Sequence, residues 1–184
     1  MKPKTLCLIG LVFFVASYVF FSQGSLSEQK HIDLAHWLNL IGAVLLYSFN
    51  KVFPKNKLNS IATITTTLGV IAHIGLCTID FIMWSFGSDD IGRNQLSEQI
   101  NNTASILYPF IIIGPSFLFI GLAMHAINFV KTNLVSSLMV IVGGPFVGIS
   151  YFIWNNGTLM LLSCIIFAGG LALLLFRNER IVKE

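Results

Sequence analysis

The most constraining feature of the sequence is a series of six long apolar runs separated by short polar segments. Crossing about 30 Å of hydrocarbon takes roughly 20 mostly apolar residues at a helical rise of about 1.5 Å each. The runs cover residues 5–22, 34–53, 61–86, 104–127, 134–154 and 158–176. They are continuously apolar rather than alternating, which favours helices over the strands of a membrane barrel. We therefore predict an all-α integral membrane protein, a bundle of six transmembrane helices with no soluble domain.

The composition supports this class. Hydrophobic residues make up 55% of the chain and charged residues only 10%, whereas about a quarter of the residues of a soluble domain are charged. The formal net charge of +3 reflects basic residues sorted by membrane side rather than a nucleic-acid-binding surface. The expected partner is the lipid bilayer, and no nucleic acid is expected.

Basic residues are collected on one side of the predicted bundle. They resist translocation and therefore mark the cytoplasmic side of a membrane protein. Only Lys30 and Arg93 fall on the opposite side, and the others are Lys2, Lys4, Lys51, Lys55, Lys57, Lys131, Arg177, Arg180 and Lys183. We predict that both termini are cytoplasmic and that the protein lies in the cell (inner) membrane.

The first run admits a second interpretation, because Lys2 and Lys4 before an apolar stretch also describe a signal peptide. The run is longer than a usual signal-peptide core, and residues 22–25 form a poor cleavage site. We favour a retained helix. Cleavage would leave five helices and an external N-terminus.

Asp80 is the residue hardest to place in a membrane, because a carboxylate in hydrocarbon must be paired, protonated or exposed to water. At 100° per residue, His73, Cys77, Asp80 and Trp84 lie on one face of the third run. Asp80 is therefore predicted to face protein or a cavity rather than lipid.

A second polar stripe follows the second run and consists of His36, Asn39, Ala43, Tyr47 and Asn50. Depth determines which members of the two stripes can meet. Measured from the outer ends of their runs, His36, Asn39, Tyr108 and Asp80 lie about 3, 8, 6 and 9 Å deep. These four residues are predicted to converge near the outer face, with His73 deeper on the same stripe, and Tyr151 is a further candidate.

No metal or cofactor is predicted. His36, His73 and His125 differ in depth by about 10 Å or more, which disfavours a haem held by two histidines. His73 and Asp80 are about 10.5 Å apart along their helix, and His36 with Asp80 supplies only two ligands. We interpret His125, near the cytoplasmic end, as an interfacial residue or a favourable cation at a helix C-terminus rather than a ligand.

Three hypotheses for function follow from Asp80. In the leading one, a non-enzymatic protein binds or transports a small solute or proton in an outward-facing pocket, where Asp80 binds the ligand, His36 modulates its charge, and Asn39 and Tyr108 orient it. The alternative is a membrane-embedded, lipid-modifying hydrolase that uses Asp80 with His36 or His73 as acid and base. The third is a structural or sensory subunit whose Asp80 pairs with a basic residue of another membrane protein.

Small residues and prolines mark the packing of the later runs. Gly114 and Gly121 in the fourth run, and Gly143, Gly144 and Gly148 in the fifth, are predicted to allow close helix contact. Pro109, Pro115 and Pro145 are predicted to kink their helices. The longest break, residues 87–103, is predicted to be a polar loop with one helical turn.

Overall fold

The fold is entirely helical over the described part of the chain. The computed structural model describes residues 2–23 and 32–181, without the side chains at 32 and 177–181. The helices are α1 (Pro3–Ser22), α2 (Ile32–Leu46), α3 (Phe49–Val52), α4 (Lys57–Ser85), α5 (Asp90–Asn101), α6 (Ala104–Ile112), α7 (Ser116–Ile127), α8 (Leu134–Phe152) and α9 (Gly157–Ile181). The side chains of Lys30, Arg177, Arg180 and Lys183, on which the predicted orientation partly depends, and residues 24 and 25 of the candidate cleavage site lie outside the described part of the chain.

Four helices are long and apolar enough to cross a membrane, namely α1, α4, α8 and the Gly157–Phe176 part of α9. α6 and α7 together pass the same test as a span bent by 43°, so the described chain has four to five candidate spans. The second predicted run is divided: α2 has 15 residues and is followed by a turn at Tyr47 and Ser48 before α3. The prediction of an all-helical membrane protein is thus confirmed at this coarser level.

The long helices pack side by side in a closed circuit. α1 lies between α2 and α9, α4 lies between α2 and α7, and α8 lies between α7 and α9. Aromatic side chains fill the centre, where the Phe14 ring contacts those of Tyr18 and Phe119 at centroid distances of 5.1 and 5.8 Å, and Phe119 contacts Phe167 at 5.1 Å. This arrangement places α1, α2 and α4 next to one another, and their shared edge carries the candidate site.

Glycines permit two of the close helix contacts. A Cβ atom on Gly121 would lie 2.6 Å from the main-chain nitrogen of Thr66, and one on Gly143 would lie 2.9 Å from that of Phe167. The packing predictions for these two residues are confirmed. The prediction for Gly148 is wrong, because a Cβ atom there would have no neighbour within 4 Å.

The fourth run is broken between α6 and α7. Pro115 supplies no main-chain N–H, and the N–H groups of Ile113 and Gly114 both donate to the carbonyl of Tyr108, at 2.9 and 3.3 Å. Residues 107–112 accordingly form a π-helix. The kink predicted at Pro115 is confirmed, whereas Pro145 lies inside the continuous helix α8.

The segment between α4 and α6 is more ordered than the sequence predicts. Instead of one turn it contains α5, a helix of 12 residues. Asp89 caps this helix by accepting a hydrogen bond from the N–H of Gly92 at 3.0 Å, and Arg93 pairs with Asp90 on its exposed side. An acidic N-cap and a charge pair one turn apart explain why a polar segment forms a helix here.

The N-terminus of α9 depends on one side chain that can be tested. The Oδ1 atom of Asn156 accepts a hydrogen bond from the N–H of Leu159 at 3.0 Å. Asn156→Ala is expected to lower the free energy of unfolding by about 1 kcal/mol, because it removes this cap. SDS-induced unfolding of the purified protein measures the change. Asn156→Asp keeps the acceptor and should retain most of the stability; an equal loss in both variants would contradict the capping role.

Candidate functional site

The candidate site is built on a direct contact between α2 and α4. The Nε2 atom of His36 lies 2.8 Å from the Oδ2 atom of Asp80. The His36 side chain is 9% exposed and that of Asp80 is 35% exposed. The pair therefore has a buried imidazole and a carboxylate that reaches the surface of the bundle, as the sequence argument for Asp80 requires.

Toward the middle of α4, the face that carries Asp80 is buried in the bundle. Thr66, His73 and Cys77 are all at most 2% exposed, whereas Trp84, beyond Asp80, is half-exposed. The predicted stripe is thus confirmed as a packed face that becomes accessible toward its end. Asp80 lies five residues before the end of α4 at Ser85, about 8 Å along the helix.

Aromatic rings enclose the imidazole of His36. Its centroid lies 5.0 Å from that of Phe21 and 5.9 Å from that of Phe81, and Phe81 in turn stacks on Trp37 at 5.1 Å. Sequence reasoning missed Phe21 and Phe81, because aromatic residues are so common in these runs that none stands out. By excluding water, such rings strengthen the electrostatic interaction between the imidazole and the carboxylate.

Asn39 lies one turn deeper than His36 and connects three helices. Its Nδ2 atom donates to the hydroxyl of Ser17 at 3.3 Å, and the thiol of Cys77 lies 4.0 Å from its Oδ1 atom. The hydroxyl of Ser17 itself donates to the carbonyl of Phe14 at 2.6 Å. Asn39 is therefore near the pair, but its polar groups are engaged in holding α1, α2 and α4 together.

Two members of the second stripe leave it. Tyr47 is exposed, because α2 ends at Leu46 and the following turn changes the direction of its side chain. Asn50 lies in α3 and contacts His125 rather than the His36–Asp80 pair. The interruption of the helix thus divides the stripe into one part with His36 and another part with Asn50.

Tyr108 does not join the pair. It is half-exposed and lines an apolar groove of about 380 Å³ between α6 and α4, together with Ile71 and Pro109. Ile71 and Asp80 are nine residues apart on α4, which places them on opposite sides of that helix. The predicted convergence of Tyr108 with Asp80 is not seen, because its side chain faces this groove.

His73 is a core residue. Its Nδ1 atom lies 2.9 Å from the carbonyl of Gly69 one turn earlier, and its ring contacts those of Phe14 and Phe119 at 6.0 and 6.2 Å. These contacts are with its own helix and with the aromatic centre. His73 shares the face of Asp80 but is not part of the pair.

Tyr151 of α8 lies within electrostatic range of Asp80. Its side chain is part-exposed, and its ring packs edge-on against Phe152 at 4.9 Å. Its position in a cluster with His36 and Asp80 stays a prediction.

The pair can hold a proton or a small cation, since one acid and one base lie in contact. In the part of the chain that the structure describes, His, Cys, Asp and Glu side chains form no group of three able to hold a metal ion. The comparisons with known proteins add no family: no family model matches the chain, and no curated protein and no solved structure matches it.

Proposed function

We propose that the protein binds a proton or a small cationic solute at an outward-facing site carried by Asp80, and that it transports this ligand. The observation that carries the proposal is the 2.8 Å contact between His36 and Asp80 beside part-exposed surface. An acidic side chain within a membrane span is energetically costly, so such residues usually have a function. Proton relay is one of these functions.

The chemistry of the pair suits a proton better than any other ligand. Imidazole changes charge near neutral pH, and a carboxylate in contact with it lowers the cost of its positive charge. With one shared proton, the pair is a neutral acid–base couple or an imidazolium–carboxylate ion pair, and both have zero net charge. The exposed side of the Asp80 carboxylate gives a second proton access to the pair.

The proposal includes a topology of six spans, in which α2 and α3 together form the second and α6 with α7 the fourth. The exposed tryptophans Trp37, Trp84 and Trp154 support an interfacial position for the end that bears Asp80. The opposite end carries the exposed lysines Lys51, Lys55, Lys57 and Lys131. By the distribution of basic residues, that end and both termini are cytoplasmic in a cell membrane.

Within this site two of the four residues, Asn39 and Tyr108, take different roles from those predicted. Asp80 accepts the ligand and His36 sets its charge, whereas Asn39 is a positioning residue that fixes α2 against α1 and α4. Tyr108 has no part in the proposal. The hydrolase and partner-binding hypotheses stay predictions, and no described contact around Asp80 adds a nucleophile to favour the first: the hydroxyl of Ser17 is bonded to its own helix.

Proton flux through reconstituted vesicles tests the proposal. The purified protein is placed in vesicles loaded with a pH-sensitive dye, and an inward pH gradient is imposed. The wild-type protein is expected to acidify the interior faster than protein-free vesicles do, and Asp80→Asn should abolish the difference, because the amide cannot accept a proton. The infrared absorption of protonated carboxyl groups grows on acidification, and the part of it that Asp80→Asn removes measures proton binding at Asp80 separately from transport.

A matched control is available at the same end of the molecule. Asp90→Asn also removes one carboxylate, but Asp90 is exposed on α5 and pairs with Arg93. This variant should retain the wild-type flux and the part of the infrared absorption that belongs to Asp80. An Asp80→Asn protein with full flux and an unchanged infrared absorption would overturn the proposal.

A further inference from the structure

A second polar cluster lies at the lysine-bearing end of the bundle, far from Asp80. It consists of Asn50 in α3, Asn56 and Asn59 at the start of α4, and His125 and Asn128 at the end of α7. Asn59 and Asp80 are 21 positions apart on α4, about 31 Å along the helix. The cluster is therefore separate from the outer site.

The directions of its hydrogen bonds follow from one fixed point. The Oδ1 atom of Asn56 accepts from the N–H of Asn59, so its Nδ2 atom must be the donor to Oδ1 of Asn128, at 2.7 Å. Nδ2 of Asn128 in turn donates to Oδ1 of Asn59 at 2.6 Å, while Nδ2 of Asn59 donates to the carbonyl of Pro54. Each amide orientation is thus set by its neighbour.

This series of hydrogen bonds determines where one proton of the His125 ring lies. Its Nδ1 atom lies 2.8 Å from Oδ1 of Asn59, an atom that can only accept. Nδ1 must therefore carry a hydrogen whatever the charge of the ring. A neutral His125 consequently has its free lone pair on Nε2.

At Nε2, on the other side of the ring, two hydrogen-bond arrangements are possible. Nε2 lies 2.6 Å from Oδ1 of Asn50, and the Nδ2 atom of Asn50 is buried with no hydrogen-bond partner. In this orientation of Asn50 both ring nitrogens face acceptors, which requires an imidazolium. If the amide rotates by about 180°, Nδ2 instead donates to the lone pair of a neutral ring.

We propose that His125 is a proton-binding site at the lysine-bearing end of the protein, in which the amide of Asn50 rotates as the proton binds and leaves. The proton adds to Nε2 and forms an N–H bond that donates to Oδ1 of Asn50, and its loss restores the Nδ2 to Nε2 hydrogen bond. The proposal does not depend on transport through Asp80.

Some groups around the His125 ring stabilise its positive charge, and others destabilise it. His125 lies in the last turn of α7, where the helix dipole stabilises a cation, and the Phe53 ring lies at a centroid distance of 5.7 Å. Its polar contacts on α3 and α4 are the neutral Asn50 and Asn59. The charged side chains nearest to this cluster along the chain, on or next to α3 and α4 and after α7, are Lys51, Lys55, Lys57 and Lys131, all of them exposed, and Lys2 and Lys4 stand at the start of α1; these positive charges oppose protonation.

Nuclear magnetic resonance of the full-length protein in bilayers, with ¹⁵N-labelled histidine and asparagine, tests the proposal. At high pH the His125 ring is expected as the Nδ1–H tautomer, and on acidification Nε2 gains a proton while the side-chain amide signal of Asn50 shifts with the same midpoint. An Nε2–H tautomer, a ring that never titrates, or an Asn50 signal that does not follow His125 would each overturn it.

A variant distinguishes the effect of the Asn50 side-chain amide on the titration of His125 from the effect of burial. Asn50→Leu is close in size but cannot accept from the imidazolium, so the titration midpoint of His125 should fall by about one pH unit. His73, a buried histidine without an asparagine partner, is the internal control and should not change. An unchanged His125 midpoint would overturn the proposal, and the wild-type spectra decide it if the variant does not fold.

Discussion

Gly69→Ala adds one methyl group to α4 and is expected to lower the stability of the protein more than a methyl group added at any other position of this helix. A Cβ atom at Gly69 would overlap the main-chain nitrogen of Leu118 and lie 2.5 Å from its Cα atom. The obstacle is backbone, so no rotamer change relieves it, and α4 must move away from α7. Overpacking usually costs about 1–3 kcal/mol, and this site should reach about 3 kcal/mol or more. The free energy of SDS-induced unfolding measures it.

Gly148→Ala is the matched control for this prediction. It adds the same methyl group to a helix interior, but nothing lies within 4 Å of the new atom. It should leave stability unchanged or raise it slightly, since alanine is the better helix former. Equal losses in the two variants would show that the close contact between α4 and α7 does not determine stability.

Periodicity predicted the parts of the fold that are regular. The apolar runs located the long helices, and a spacing of 100° per residue placed Thr66, His73 and Cys77 together on the buried face of α4. The depth estimates placed His36 and Asp80 within about 6 Å of each other along the membrane normal, and the two side chains are in contact. Both inferences depend on helices that are regular between each residue and the outer end of its run.

The failures occur where a helix is interrupted. Tyr108 lies in the π-helix of residues 107–112, and a turn with i→i+5 bonds rotates side chains relative to an α-helix. Tyr47 lies at the break between α2 and α3. Neither rotation is visible in a pattern that assumes 3.6 residues per turn.

A different limit applies to His125, which the sequence places near the cytoplasmic end without indicating its partners. Asn50 and Asn59 are 75 and 66 positions away in the chain, and asparagines at helix ends usually serve as caps. Only the packing of α3, α4 and α7 brings the three side chains together. An amide network of this kind is a tertiary feature and requires the structure.

The second prediction concerns how much the contact between His36 and Asp80 contributes to the free energy of unfolding. A charged group left in a membrane without its partner loses a hydrogen bond worth about 1.5–3 kcal/mol. Asp80 is part-exposed, which places the expected cost in the lower part of that range. His36→Leu and Asp80→Leu should therefore each lower the free energy of unfolding, because each leaves the other polar group in place.

The double variant His36→Leu with Asp80→Leu is expected to be more stable than the sum of the two single losses predicts, by about 1–2 kcal/mol, since no unpaired polar group remains. SDS-induced unfolding of all four proteins at one pH gives this coupling energy. The exposed pair Asp90 and Arg93 is the control, and its own cycle should give a coupling within about 0.5 kcal/mol of zero. A coupling at His36 and Asp80 as small as this would mean that the two side chains are close but energetically independent. Asp80 would then lack the partner on which its role as a proton acceptor depends.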